Sequence, residues 1–346
     1  MVFNLFQKSN MTRIAINGFG RIGRQAFKAG FHKPDFNVVA INDLTDAKTL
    51  AYLLKYDSNY GIWNVDVKSR GNFLIIDGRK IPVYSERDPA NLPWAEDKID
   101  VVIESTGFFR TVEAASKHLE AGAKRVVISA PAKDEAIPTY VIGANEEGLK
   151  KEGAKIINNA SCTTNCASPV MAIMDEAFGV KKALLTTIHG YTSTQSLVDS
   201  PQNELRRGRA AAVNMIPTST GAAIATTKTL PQLKNKFDGI SIRVPVPTGS
   251  ISDITMVLSK KVTVDEIKTA FKSAIKKPRF KKVVAITEEP LVSTDIIGNE
   301  YSAIVDLEMT RVVGGDLVKI LAWYDNEWGY SNRLAEMAVF YSKNAK

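Results

Sequence analysis

Apolar and polar positions fall along this chain in two textures. Before residue 160, compact apolar runs of strand length take turns with stretches of helical spacing. Runs at 12–17, 37–42, 100–104, 125–129 and 156–158 read as strands, and 100–104 (DVVIE) is of the buried parallel type. Between them, 21–29, 47–55 and 112–121 carry helical character, which makes the first half a βαβ array. Short strands near 65–67, 73–76 and 81–84 form a hairpin-like insertion.

Past Cys162 the pattern changes. An apolar and small run, 167–177, reads as a helix. Strands are predicted at 183–188, 240–246, 254–258, 283–286, 303–307 and 317–324, and the alternation at 254–258 suits antiparallel sheet with one face covered. Thr263 and Glu266 form a capping box that opens a helix to 275, and a last helix is predicted at 328–342. Residues 193–215 show little periodicity and carry Arg206, Arg207 and Arg209. A stretch that long without structure points to a binding or interface role.

Composition narrows the classes without choosing one. The 346 residues suit two domains, and 45% apolar with 24% charged residues is ordinary for a globular enzyme. Two cysteines argue against a disulfide scaffold and for a reducing compartment. No run approaches a membrane span, and residues 1–10 are too weakly apolar for a signal peptide and read as a flexible extension. The net charge of +8 permits anionic ligands. Its densest cluster, 276–282, reads as a solvated loop, and no nucleic-acid-binding pattern appears. No metal-ligand spacing is present either.

Candidate chemistry sits at the element ends. Gly18, Gly20 and Gly23 make a G-x-G-x-x-G between a strand and a helix, the context in which such glycines admit a pyrophosphate. Asp43 follows the next strand about 20 residues on, where a ribose hydroxyl is read and a 2′-phosphate repelled; its other reading is a helix cap. Ser161-Cys162-Thr163-Thr164-Asn165-Cys166 holds both cysteines at a helix start. Backbone donors and the helix dipole there favour a thiolate at Cys162, whereas Cys166, one turn on, packs inward. Pro169 weakens that argument if the regular helix begins nearer to it. Of three histidines, His32 and His118 lie on helices as surface or core residues, and His189 stands at a strand end where a base could meet Cys162. Thr220 and Gly221 open a helix as a phosphate seat or as simple capping. Arg243 either snorkels to the rim or binds an anion.

Together, 16–23 (INGFGRIG), 41–44 (INDL), 161–166 (SCTTNC), 217–223 (PTSTGAA), 243–247 (RVPVP) and 323–330 (WYDNEWGY) resemble the phosphorylating glyceraldehyde-3-phosphate dehydrogenase family over nearly the whole chain from Thr12. The resemblance implies an α/β fold: a Rossmann NAD-binding domain at 11–161, completed by a C-terminal helix at 325–346, and an α+β catalytic domain at 162–324 with a mostly antiparallel sheet. It implies a cytoplasmic homotetramer, with residues 192–215 at an interface. Cys162 would be the nucleophile and His189 its base. Arg21 and Ile22 would offer backbone N–H groups to NAD; Asp43, Arg87, Ser129, Asn326 and Tyr330 would complete its site. Thr192 and Arg243 would hold the phosphate of glyceraldehyde 3-phosphate. Ser161, Thr163, Thr220 and Gly221 would hold inorganic phosphate. The chain departs from the family's usual pattern at Ile224, after Gly-Ala-Ala, in His189-Gly-Tyr-Thr-Ser-Thr-Gln195, and at Ser200, ahead of Pro201. Erythrose-4-phosphate dehydrogenase of the same fold is the alternative, and a basic nucleic-acid-binding protein with incidental NAD affinity is a rival of another class.

Overall fold

The computed structural model describes residues 11–151 and 153–345; the extension expected at 1–10 lies outside them. The chain forms two compact units. The first comprises the described residues up to Tyr140, Glu147–Asn159 and the stretch from Ser331; the second comprises Val141–Glu146 and Ala160–Tyr330. Residues 141–146 therefore go with the second unit, and the cause is local. Val141 and Ala144 are buried with Ala160 and Ala225. Arg279 donates to the carbonyls of Gly143 at 3.1 Å and Ala144 at 2.6 Å.

The first unit contains β1 (Thr12–Asn17), α1 (Arg21–Gly30), β2 (Phe36–Asn42), α2 (Ala47–Lys55), β3 (Tyr56–Asp57), β4 (Gly61–Ile62), β5 (Val67–Arg70), β6 (Phe73–Ile76), β7 (Arg79–Tyr84), β8 (Val101–Glu104), α3 (Val112–Glu120), β9 (Arg125–Ile128) and β10 (Ile156–Asn158). Its main sheet runs β10-β9-β8-β1-β2-β7-β6-β5. The strands from β10 to β7 pair parallel, and β5, β6 and β7 close an antiparallel meander, the predicted insertion. After β2 the order reverses to the other side of β1, so a crevice opens at the carboxyl ends of β1 and β8. β5 begins at Val67, two residues later than the pattern suggests, and the short β3–β4 pair has no counterpart in that pattern. His32 lies just beyond α1, exposed, whereas His118 on α3 is fully buried.

The second unit contains α4 (Cys162–Phe178), β11 (Val180–Gly190), β12 (Ile216–Ser219), α5 (Ala222–Thr229), β13 (Phe237–Val244), β14 (Ser250–Leu258), α6 (Val264–Ala274), β15 (Val284–Thr287), β16 (Ala303–Val313) and β17 (Leu317–Tyr324). Its sheet, β12-β13-β11-β14-β17-β16-β15, is mixed, with four of its six pairings antiparallel. One face packs against α4 and α6 through Val170, Met174, Ile267, Phe271, Ile254 and Met256. Alternation along β14 explains the layering: Ile254, Met256 and Leu258 point into that core, while Ser250 and Ser252 extend the same buried face as a polar end. α6 opens with both halves of the predicted capping box. β12 lies outside the predicted strands; Pro217, which lacks an N–H, is tolerated there because β12 is the sheet edge. β13 stops at Val244, ahead of Pro245, and not at 246.

The closing helix α7 (Trp328–Asn344) belongs to the second unit as far as Tyr330 and to the first from Ser331. Within the first unit its later turns are tied by Glu336 to Lys33 at 2.9 Å and by the Tyr341 hydroxyl, which donates to the Ala154 carbonyl at 2.5 Å. Among the described residues, no helix is long and apolar enough to cross a membrane.

Candidate active site

In the first unit the three glycines serve three different constraints. Gly18 has φ +89°, and a Cβ there would lie 2.7 Å from the backbone nitrogen of Thr106. A Cβ on Gly23 would lie 2.2 Å from the Gly18 carbonyl, so only glycine lets α1 pack against the turn. Around Gly20 there is open space, and a Cβ there would meet no atom within 4 Å. Gly20 is also the cap of α1 and brings no side chain to its first turn. The Arg21 side chain turns aside to Asp57 at 2.6 Å. A cavity of about 450 Å³ opens here, lined by Gly18, Gly20, Asp43, Arg87 and Phe108 among others.

Asp43 is not a helix cap: Asp46 caps α2, accepting from the Thr49 N–H at 2.9 Å. Asp43 instead accepts the Phe19 N–H at 2.7 Å and the Thr45 N–H at 2.9 Å, which fixes its carboxylate against the glycine turn. Open space at Gly20 with a held carboxylate lining the same cavity suits a dinucleotide, so the residues present fit NAD. Ser129 follows β9, its N–H bound to the Glu104 carbonyl at 2.9 Å; it is not among the residues lining the cavity.

In the second unit, α4 begins at Cys162 and runs through Pro169 without a break, so the regular helix does not wait for the proline and the cysteine stands in its first turn. Two residues earlier, Ala160 takes φ +53°, a left-handed conformation that costs a non-glycine residue of order 1–3 kcal/mol and is held by full burial. Tyr330 donates to its carbonyl at 3.1 Å. Ser161 caps the helix, its hydroxyl accepting the Thr164 N–H at 3.1 Å. Cys162 is thereby presented at the first turn, half-buried, with its sulfur 3.3 Å from His189 Nε2.

Sheet register brings the third group. β11 and β13 run parallel with His189 opposite Arg243. His189 Nδ1 lies 2.6 Å from the Gly190 carbonyl, and Arg243 Nη1 lies 3.2 Å from the same oxygen and 2.9 Å from Nδ1. A carbonyl has two lone pairs, so both nitrogens donate to it. With its hydrogen on Nδ1, His189 turns the Nε2 lone pair toward the Cys162 thiol, the tautomer of a general base. Burial and then the Arg243 charge lower His189 to about 3, so it is neutral at pH 7. Among the described residues, Arg243 Nε is buried without a partner.

Burial pushes the Cys162 thiol above its ordinary value, against the pull of the Arg243 charge and of hydrogen bonds from Thr163. The helix start favours the thiolate, as the sequence implies, but desolvation prevails over it. Cys166 behaves as a core thiol, fully buried and pushed up to about 12 by that burial.

The expected phosphate ligands divide. The Thr163 hydroxyl is buried and lies 2.9 Å from that of Tyr324, which is also 2.7 Å from Thr187. This contact holds the side chain at the start of α4, one residue along from Cys162. Thr220 accepts the Ala222 N–H at 3.2 Å, and Gly221 is exposed with open space around it. Thr192 lies just past β11, its hydroxyl 2.8 Å from that of Thr194. Asn326 is held by its carbonyl oxygen, which accepts from the Gly249 N–H at 3.1 Å and the Ser250 hydroxyl at 2.8 Å. Tyr324, packed edge-on at 6.0 Å from His189, is a neighbour the sequence does not single out, although it lies in the 323–330 motif and points inward by the alternation of β17. A larger groove of about 840 Å³ on the second unit's sheet holds none of these residues.

Comparison with known proteins decides the family. Residues 161–326 match the model of the glyceraldehyde 3-phosphate dehydrogenase C-terminal domain, and 12–112 match that of its NAD-binding domain. The chain belongs to the glyceraldehyde-3-phosphate dehydrogenase family. It is 52% identical over 329 residues to glyceraldehyde-3-phosphate dehydrogenase 2 of Streptomyces avermitilis, covering 95% of this chain and 98% of the relative. It is 51% identical over 332 residues to the Borreliella burgdorferi enzyme of that name, covering 94% and 98%. It is 49% identical over 328 residues to that of Geobacillus stearothermophilus, covering 95% and 97%. NAD is accordingly the cofactor of this dehydrogenase, and the α/β expectation of a Rossmann domain with a catalytic domain holds.

Proposed function

We propose that this chain oxidises and phosphorylates glyceraldehyde 3-phosphate to 1,3-bisphosphoglycerate, with Cys162 as nucleophile and His189 as its base. The observation that carries the residue roles is the 3.3 Å approach of Cys162 Sγ to His189 Nε2 at the start of a capped helix.

When bound, NAD supplies the acceptor for the substrate's hydride; Gly18, Gly20, Gly23 and the backbone of Arg21 and Ile22 would hold its pyrophosphate, and Asp43 its adenosine ribose. Arg87 and Ser129 would border it, and Asn326, its carbonyl occupied, would turn its amide nitrogen to the nicotinamide beside Tyr330. Cys162 Sγ adds to the aldehyde carbon, and the thiol proton passes by way of His189 Nε2 to the carbonyl oxygen, giving a thiohemiacetal. The same nitrogen takes the hydroxyl proton back as the carbonyl re-forms in the thioester; such base assistance is worth roughly 10²–10⁴-fold. Phosphate then attacks the thioester, the C–S bond breaks, and Cys162 is restored. Arg243, with Nε unpartnered, and Thr192 would anchor the substrate phosphate. Ser161, Thr163, Thr220 and Gly221 would receive inorganic phosphate.

Exposed apolar residues in the irregular stretch, Leu197, Val198, Leu205, Val213 and Met215, support a homo-oligomer, read as a tetramer. A cytoplasmic location accords with free cysteines in a reducing compartment. The test is a steady-state assay with glyceraldehyde 3-phosphate or erythrose 4-phosphate, with and without phosphate, and with NAD or NADP. Phosphate-dependent turnover of the triose with NAD is expected; faster turnover of the tetrose would replace this reading by its same-fold alternative.

A further inference from the structure

Beneath the cavity of the first unit lies a second polar layer that the chemistry above does not use. β8, β1 and β2 are neighbours and end together: Glu104, Asn17 and Asn42 are their last residues and stand opposite one another in register. All three are buried, as are His118 on α3 and Trp94. Asn17 and Asn42 line the cavity, together with Thr106; Glu104, His118 and Trp94 stand behind them.

The hydrogen bonds of this layer have one consistent direction. Trp94 Nε1 can only donate, and it donates to His118 Nδ1 at 3.0 Å. That nitrogen therefore carries a lone pair, the ring is neutral, and its hydrogen on Nε2 goes to Glu104 Oε2 at 3.1 Å. The same oxygen accepts Asn17 Nδ2 at 2.5 Å. Glu104 Oε1 accepts the Thr106 N–H at 2.8 Å and the Thr106 hydroxyl. Four donors thus converge on one buried carboxylate, which is the satisfaction an ionised group requires away from water. Asn17 Oδ1 in turn accepts Asn42 Nδ2 at 2.7 Å, and Asn42 Oδ1 accepts the Glu86 N–H at 2.9 Å.

We propose that Glu104 and His118 are positioning residues for the cofactor site. Glu104 takes the Asn17 amide nitrogen, which leaves Asn17 Oδ1 to hold Asn42 at the cavity, and pins Thr106 at its wall. His118 fixes Glu104, and Trp94 fixes the tautomer of His118. Pocket groups locked before binding need no ordering when the ligand arrives, which raises affinity without touching the reacting atoms. The inference rests on the reading of this cavity as the NAD site. A carboxylate–imidazole pair that served only the fold would leave NAD affinity alone, and this separates the two roles.

The experiment is calorimetric titration of NAD into the full-length protein, without aldehyde or phosphate, together with kcat and KM. Three variants are used: Glu104→Gln, His118→Leu and His118→Gln. Glu104→Gln keeps the volume but turns one acceptor into a donor facing donors, so Kd and KM for NAD are expected to rise roughly tenfold, with kcat at saturating NAD within about twofold. His118→Leu is expected to do the same. His118→Gln carries an acceptor and a donor in the same order as the neutral ring, and should return Kd to within about threefold of the parent. Should Glu104→Gln not fold, the two His118 variants decide. Unchanged Kd in Glu104→Gln or His118→Leu, whatever their melting temperatures, overturns the proposal, as does His118→Gln binding no better than His118→Leu. Absence of NAD binding by the parent protein would overturn the cofactor reading itself, and this proposal with it.

Discussion

The two units make their sites by opposite means. In the first, the site is made of backbone: a turn from Gly18 to Gly23 whose shape depends on missing side-chain atoms, with one carboxylate bound to the turn's Phe19 N–H. In the second, it is made of side chains: Cys162, His189 and Arg243 come from a helix and two strands, separated by 27 and 54 residues along the chain. A backbone site depends on short-range conformation and fails when an atom is added. A side-chain site depends on long-range register and fails when an atom is removed. Substitutions in one unit should therefore leave the function of the other standing.

The largest effect is expected at the nucleophile. Cys162→Ser should lower turnover by at least about 10⁴-fold, because a hydroxyl is a far weaker nucleophile near neutral pH. NAD affinity, measured by calorimetry, should not change. Substantial turnover by the Ser variant would remove Cys162 from the mechanism, and a loss of NAD binding would break the separation between the sites. Cys166→Ala, at a fully buried core position, should cost stability and spare activity.

Arg243→Leu comes next. KM for glyceraldehyde 3-phosphate should rise by about 10–100-fold while activity on unphosphorylated glyceraldehyde changes little, because that substrate never used the anchor. The Arg243 charge also acts on both neighbours, drawing the Cys162 thiol down and pushing His189 down. Its removal has the same sign for both: each should hold its proton to higher pH. The rate of alkylation by iodoacetamide should accordingly reach its midpoint at higher pH in the variant. A midpoint that stays in place, or equal losses on both aldehydes, would mean that Arg243 supports the sheet alone.

Gly23→Ala tests the backbone site. A Cβ 2.2 Å from the Gly18 carbonyl forces α1 off the turn, at a cost of about 1–3 kcal/mol by overpacking. NAD affinity should fall roughly tenfold, with iodoacetamide still reacting at Cys162 at the parental rate. Retained NAD affinity would show that the glycine turn is not the seat of the pyrophosphate.

The same contrast explains what can be read from the sequence. The glycine turn, Asp43, the Thr263–Glu266 capping box and the strand alternation are written in neighbouring residues, so local rules recover them. The Cys162 helix start is equally local. That His189 meets Cys162 and Arg243 is not, because the first depends on how α4 lies against β11 and the second on the parallel register of β11 with β13. The inward turn of Thr163 toward Tyr324 and the burial of His118 against Glu104 are invisible for the same reason: each partner lies on a distant element. The β12 strand is hidden because Pro217 argues against a strand unless its edge position is known.

The smallest effect concerns coenzyme choice, where the two kinds of construction meet in one residue. Asp43 is a side chain, yet both of its oxygens are held by backbone N–H groups, at 2.7 Å from Phe19 and 2.9 Å from Thr45. Its charge is therefore fixed in place and cannot swing away from an incoming 2′-phosphate, which it repels; a 2′-hydroxyl can instead donate to a remaining lone pair. Asp43→Asn keeps the volume, removes the charge and loses one acceptor. The ratio of kcat/KM for NAD to that for NADP should narrow by roughly three- to tenfold, mostly through KM for NADP, while kcat with NAD stays near the parent value. Asp43→Ala should narrow the ratio further and also raise KM for NAD, since it frees the Phe19 N–H of the turn and the Thr45 N–H. Parallel KM measurements with both coenzymes on the three proteins decide the matter. A parent enzyme that already prefers NADP, or a ratio unmoved by Asp43→Asn, would mean that the discrimination resides in side chains elsewhere and not in a carboxylate clamped by the turn.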